Sequence, residues 1–374
     1  MDKKSLFEHL SIVRDFRQDW KVDHKLTDIL FLTVCAVIGG ADGWDEIEDF
    51  GQIHESWFRA RGEFEQGIPS RDTIRRVMSK INPAKLQQAF IAWMKTCHEL
   101  TGGDIVAIDG KTLRRSFSKE HSAIHMVSAF SVKNSIVLGQ VKTEEKSNEI
   151  TAIPELLELL DISGCLVTLD AMDCQTKIAN KIIESGADYL LAVKGNQGRL
   201  EEAFIKHFPM STVLTWSGDS YVTTNKIEHG RQEQRLYITR DLFDDFVDLG
   251  FEWRGMKTLG VSMYMRSKPG EKPNADEVVI RYYISSRTLS AEQFAESIRS
   301  HWHVENKLHY KLDVGFNEDQ SRIRADDGAE NFARIRHMCI SLLSNEKTFK
   351  GGVKRKRKMA GMSEEYLEKV LAAL

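Results

Sequence analysis

The chain has 374 residues, 41% of them hydrophobic, and a formal net charge of −3, which allows a large core in two or three domains and does not name a polyanionic partner from the average alone. The longest apolar run, ILFLTVCAVIGG from Ile29 to Gly40, is about a dozen residues where a membrane-spanning helix needs roughly 20. The charged start MDKKSLFEHLSIVRD shows no secretory pattern, so the cytoplasm is the expected compartment. Five cysteines without a CxxC pair argue against a disulfide framework or a zinc knuckle, and reduced, mostly buried thiols are expected.

Residues 1–95 read as an all-helical domain with a possible DNA-binding role. KLTDILFLTVCAVIGG is apolar with short polar interruptions, and IPSRDTIRRVMSKINPAKLQQAFIAWMKTCHEL repeats apolar positions at helical spacing. Ser70 or Asp72 can cap a helix bearing Arg71, Arg75 and Arg76, and Pro83 restarts the pattern. Such arginines suit DNA, though a solvated helix face is the more common explanation. From residue 103 strands take over. DIVAID (104–109) is the first and ends on Asp109, after which the chain is expected to turn at once through Gly110 into Lys111. AIHMVSAFSV (123–132) and IVLGQVKT (136–143) form a hairpin joined at Lys133, Asn134 and Ser135. A helix (148–160), a strand CLVTLD (165–170), a helix (174–186) and a strand ADYLLAV (187–193) follow.

Three antiparallel-type strands followed by alternating helix and strand imply a mixed sheet with right-handed crossovers. After Val193 the alternation breaks into β-rich sequence over about 210–288, with a turn at Pro269 to Pro273. One long helix is expected over 290–312, with Ser290 as N-cap and Gln293 completing a capping box, and another over 326–345. The final stretch, 346–374, reads as a basic tail and helix in which KRKRK, Lys354 to Lys358, is either solvated or a phosphate contact. The expected fold class is α/β: a ribonuclease H-like mixed sheet in residues 96–345, carrying the β-rich insertion and preceded by the all-helical domain.

Two strands end on aspartate, Asp109 and Asp170. In an open sheet, ligands bind beyond the carboxyl ends of strands, and this element order makes those two strands neighbours. Carboxylates held together repel unless a cation neutralises them, and an all-oxygen site suits Mg²⁺ or Mn²⁺ rather than zinc. Asp173 is nearby but better placed to cap the following helix. A third ligand is expected from the later helix, where Glu305 has His301 four residues before it and His309 four after it. That trio is also a possible zinc set, although it lacks the HExxH pattern. In VKGNQ, Gly195 relieves steric limits after the strand and the next helix presents its N-terminus to an anion.

AIDGK, TLDAMDCQ, VKGNQ and HWHVENKLHYKLDVGFNED, in that order, resemble the DDE transposases of bacterial insertion sequences, in particular the H-repeat-associated proteins linked to Rhs elements. The resemblance covers nearly the whole chain. It implies that Asp109, Asp170 and Glu305 are the catalytic triad and hold Mg²⁺ or Mn²⁺, two ions about 4 Å apart in the usual arrangement. The partner it implies is double-stranded DNA, at element ends and target, bound by a homodimer. Lys111, Lys194 and Asn196 are candidates to hold phosphates, His229 to Arg231 to grip DNA, and Trp253 to pack in a core. Many transposases with this insertion place a tyrosine seven residues and an arginine four residues before the glutamate. Here Ile298 and His301 stand there, and His301 is the candidate to take the arginine's role toward a phosphate. Two other readings remain open, a transposase-derived DNA-binding protein without mobility and a nuclease that cuts without joining.

Overall fold

The computed structural model describes residues 6–61, 64–97, 103–117, 122–143, 149–225, 232–268 and 278–374. The chain divides into two compact units, one of Met1–Leu100, Gly110–Leu160 and Val304–Leu374, the other of Thr101–Asp109 and Asp161–His303.

The second unit is built on a large mixed sheet. β1 (Ile105–Thr112) begins in it, followed by β4 (Leu166–Leu169), β5 (Asp188–Val193), β6 (Ser220–Thr224), β7 (Gln232–Asp241), β8 (Thr258–Ser267) and β9 (Val278–Ser285), in the spatial order β1-β4-β5-β9-β8-β7-β6. β1, β4 and β5 are parallel, with the helix Thr176–Glu184 as the crossover from β4 to β5. β9 then pairs antiparallel with β5, Leu190 opposite Ser285. The β-rich segment expected as an insertion therefore continues the same sheet. It also holds two helices that the strand pattern hid, Met210–Leu214 and Asp244–Glu252.

The helix Ala291–His301 starts where expected, on a Ser290/Gln293 capping box. Its Phe294 is fully buried among Leu166, Leu190, Tyr237 and Tyr283, a burial worth about 1.5–3 kcal/mol. A Cβ on Gly260 of β8 would stand 2.5 Å from the Phe294 ring, so a bare backbone in the strand lets the aromatic seat. Ile298 belongs to the same cluster, which makes the position held by tyrosine in many relatives a packing position here. Trp253 is buried as well.

The first unit is mostly helical, with Leu26–Gly39, Trp44–Ile53, Arg71–Met78 and Pro83–Cys97 in its N-terminal part. Ser70 caps Arg71–Met78 by accepting from the Thr73 amide. The same unit contains the antiparallel hairpin of β2 (His125–Ser131) and β3 (Ile136–Thr143), turning at Ser135 with φ of 54°. The unit's N-terminal segment ends at Leu100, and its last segment, Val304–Leu374, is not divided at 346. The helix Gly328–Asn345 is buried from Gly328 to Leu343, and the basic run is no tail but part of the helix Val353–Met362. Lys356 and Arg357 face inward. Arg357 donates to the carbonyls of Val37 and Ala41 at 2.9 and 3.0 Å and pairs with Asp42 at 2.9 Å.

Glu346 anchors this end of the unit. Its buried carboxylate accepts from the Thr348 amide at 2.5 Å and from Tyr366 Oη at 2.5 Å, and lies 3.4 Å from Lys356 Nζ. Burial alone would raise its pKa, but the Thr348 and Tyr366 hydrogen bonds and the Lys356 charge hold it down at about 2. A carboxylate depressed in the folded state adds stability above its unfolded pKa and loses it as pH falls toward the folded value. Glu346→Gln is expected to cost about 3–5 kcal/mol near neutral pH, since Lys356 would be left as a buried unpaired charge. Thermal unfolding from pH 7 down to pH 2 tests this. The wild type should lose its advantage over the variant below about pH 4.5, and equal melting temperatures at pH 7 would refute the assignment.

Among the described residues no single helix is long and apolar enough to cross a membrane. The described cysteines, Cys35, Cys165, Cys174 and Cys339, are free and buried, as expected.

Candidate active site

β1 and β4 pair in register Ile105 to Leu166, Val106 to Val167 and Ala107 to Thr168. Asp109 and Asp170 each lie two residues beyond the last pair, and β-strand alternation turns them toward the face shared by Ala107 and Thr168. Asp170 keeps an extended backbone, φ −69° and ψ 166°, before the short 3-10 turn Ala171–Asp173. Asp109 and Asp170 thus lie at matching positions just past the paired stretch of adjacent parallel strands, Asp170 directly after β4 and Asp109 within β1, which continues to Thr112. Asp173 is buried at 2% exposure. It does not cap the next helix, whose N-cap position is Gln175, without a side-chain bond.

His301 locks this arrangement. Its Nδ1 is 3.1 Å from Thr168 Oγ1 and its Nε2 is 3.4 Å from Asp170 Oδ1. A neutral imidazole with the proton on Nε2 satisfies both, accepting from the threonine hydroxyl and donating to the carboxylate. The ring is 14% exposed while the Asp170 carboxyl is 67% exposed. His301, the candidate for a phosphate contact, lies against Thr168 and Asp170 and leaves the carboxylate's open side to solvent.

Asn196 acts on the same loop. Its Nδ2 donates to the Ala171 carbonyl at 2.8 Å, and Gln197 Nε2 donates to the Cys174 carbonyl at 2.8 Å, so the VKGNQ turn pins the segment that follows Asp170. Lys194 is exposed and makes no ion pair among the described residues. A cavity of about 830 Å³ opens here, lined by Asp170, Lys194, Asn196, Arg281, His301 and Trp302. Sequence reasoning passed over Arg281 and Trp302. The guanidinium of Arg281 is 5.8 Å from the Trp302 ring, and the indole is 47% exposed. An exposed tryptophan directly after His301 was the available signal.

In the first unit, the single helix expected over 290–312 is interrupted. A π-helix spans Val304–His309 and a separate α-helix, Tyr310–Phe316, follows. Such wide turns are rare and concentrate at functional sites. Val304 and Leu308 are buried while Glu305 is exposed, and ligand atoms of Glu305 and His309 come within 4.8 Å of each other. The sequence reading used His309 only in the zinc alternative.

Lys111 has a different environment from the one expected. β1 does not turn at Gly110 but runs on to Thr112, and the Lys111 ammonium sits 2.7 Å from Asp313, 2.9 Å from Asp319 and 3.5 Å from Glu318, with the side chain 11% exposed. Burial opposes its charge, yet these carboxylates outweigh burial and raise its pKa. Its charge is committed inside the unit. His229 and Arg231 lie outside the described residues.

Residues 100–342 match the family described as "Transposase DDE domain", and residues 7–94 match "DDE_Tnp_1-associated". The chain is 54% identical over 374 residues to the "H repeat-associated putative transposase YhhI" of Escherichia coli (strain K12), covering 100% of this chain and 99% of that one. It is also 54% identical over 375 residues to the "Putative transposase YncI" of Escherichia coli O157:H7, covering 100% and 96%. A cryo-EM structure of the piggyBac transposase synaptic complex with hairpin DNA aligns with a TM-score of 0.43 at 12% identity, over 98% of this chain and 77% of that one, a likeness too weak for geometry to be carried over. Aspartates on two neighbouring parallel strands, an exposed glutamate in the distorted helix, and full-length identity to H-repeat-associated relatives agree: the chain belongs to the DDE transposase family.

Proposed function

We propose that the protein cleaves DNA strands at the ends of an insertion element and joins them to target DNA, in the cytoplasm, on a ribonuclease H-like sheet with Asp109, Asp170 and Glu305 as catalytic residues. The observation that carries the reading is the pair Asp109 and Asp170, each two residues past the paired stretch of two neighbouring parallel strands. Supporting it are the family and the parallel β1-β4-β5 core beside which an antiparallel hairpin follows β1 in sequence.

The donor set fits a hard divalent cation. Carboxylates dominate it, His309 adds one imidazole, and no thiolate is present. Glu305 and His309 bring ligand atoms within 4.8 Å of each other in the first unit, and Asp109 and Asp170 supply the carboxylates of the second. Bound ions would activate a water or a DNA 3′-hydroxyl and stabilise the departing oxygen of a phosphodiester. The chain's own residues have separable tasks. Asp109 and Asp170 present charge from two neighbouring parallel strands. His301 holds the Asp170 carboxyl in one orientation, Asn196 fixes the loop behind it, and Lys194 is free to meet a phosphate. Double-stranded DNA is the proposed partner, held by a homodimer because two ends are cut together.

Incubation of the protein with duplex DNA from its own flanking sequence, with Mg²⁺ or Mn²⁺, is expected to give strand breaks at defined ends and joined products. Breaks without joining would favour a nuclease of the same fold. Tight binding without any break would favour a transposase-derived DNA-binding protein.

A further inference from the structure

A group of lysines at the end of the helix Gly328–Asn345, in the first unit, is not used by the site above. Lys311 Nζ donates to Ser344 Oγ at 3.2 Å, Lys347 Nζ donates to the Ser344 carbonyl at 2.5 Å, and Lys356 Nζ donates to the Leu343 carbonyl at 2.9 Å. Three ammonium groups therefore converge on one helical turn. The charge of Lys307, with those of Lys347 and Lys356, also bears on Lys311.

Part of this is helix capping, because free carbonyls at a helix end accept from lysines and the dipole there amounts to about half an elementary charge. Glu346 supplies one full negative charge, but it is taken up by Lys356 at 3.4 Å. Capping thus leaves roughly two positive charges uncompensated. Among the described residues Lys307, Lys311 and Lys347 make no ion pair, in a chain with 55 acidic and 52 basic residues that has no shortage of carboxylates. Lys311 is half-buried. Like charges held together weaken a fold, and an anion placed among them reverses the sign.

The surroundings extend the positive surface. Gly315, one turn after Lys311, packs against Val353 and the Lys354 backbone, so the helix Tyr310–Phe316 lies along the start of Val353–Met362, whose Lys354, Arg355 and Lys358 are exposed. Lysines spread along helix surfaces suit a charged backbone, which they meet as point charges.

We infer that Lys311 and Lys347 form a phosphate-binding site that grips the backbone of duplex DNA. This rests on the DNA reading above and adds a second place where the duplex is held, apart from the residues that cut it. Each lysine acts as a point charge and reads no sequence.

The test uses the full-length protein and duplex DNA in EDTA, with the dissociation constant measured from 50 to 300 mM salt, where each lost phosphate contact removes about 0.9 from the slope of log affinity against log salt. Lys311→Gln/Lys347→Gln is expected to bind at least tenfold more weakly at low salt, with a slope smaller by about two contacts. Lys311→Arg/Lys347→Arg should keep the wild-type slope. Lys347→Gln alone, at an exposed position, should lower the slope by about one contact without touching the buried lysine. A wild-type slope in both glutamine variants, with wild-type binding intact, overturns the inference alone. A wild-type protein that binds no duplex at 50 mM salt overturns the DNA reading and this inference with it.

Discussion

Asp109→Asn, Asp170→Asn and Glu305→Gln are each expected to abolish metal-dependent cutting of element-end DNA, with rates falling by about 10³-fold or more, the scale on which single preorganised charges act in catalysis. Each change keeps the shape of the side chain and removes its charge. The fold should tolerate them. Asp170 is 67% exposed and Glu305 is exposed, so neither amide enters a core. At Asp170 the amide can still accept from His301 Nε2, so orientation survives while charge is lost, which separates cation holding from loop geometry. Duplex binding in EDTA should stay within a few-fold of wild type for all three, because removing acidic charge does not weaken a contact to phosphate. Gel-resolved cleavage with Mg²⁺ and with Mn²⁺, beside melting curves, is the measurement. More than a tenth of wild-type nicking in any one variant would remove that residue from the triad.

His301 shows how much of this site could be read in the sequence and how much could not. The spacing HWHVEN placed an imidazole four residues before Glu305, and the family pattern suggested a phosphate contact in the place of an arginine. Folding gave the ring to Thr168 and Asp170 instead, a partnership between residues more than a hundred positions apart that no local pattern carries. The strands themselves were legible because Val, Ile and Leu runs bounded by turn residues have few alternatives, and two of them visibly ended on aspartate. The π-helix at Glu305 was not, since one extra residue in a turn leaves the apolar spacing nearly unchanged. Lys356 and Arg357 misled for a related reason. Charge runs usually face solvent, and what buries these two is a set of backbone carbonyls and single carboxylates, Glu346 ten residues before Lys356 and Asp42 from the far end of the chain. Lys111 belongs with them, surrounded by Asp313, Glu318 and Asp319.

Gly110→Ala is expected to lower stability by about 3 kcal/mol and activity with it. The sequence suggested a turn at this glycine, but it lies inside β1, which continues to Thr112, so backbone freedom is not its purpose. Close approach is. A Cβ on Gly110 would stand under 3.0 Å from both His125 Nε2 and Glu149 Oε1. Those two side chains are 2% and 5% exposed and meet at 2.5 Å, while His125 Nδ1 is held by Thr112 Oγ1 at 2.9 Å. The imidazole therefore cannot swing aside without abandoning a buried carboxylate, which costs about 3–5 kcal/mol, nor can the strand retreat without moving the residue next to Gly110, which is Asp109. Either response reaches the proposed catalytic centre. Melting temperature and cleavage rate at 25 °C are the readouts, and Gly110→Ala/Glu149→Ala distinguishes the cause. If the clash is responsible, adding the second change should cost much less in the alanine background than in the wild type, a coupling of 1 kcal/mol or more of the kind touching residues show. Simple additivity would mean that the glycine serves the strand in some other way, and an unchanged melting temperature in Gly110→Ala would mean that β1 has room the side chains around it do not show.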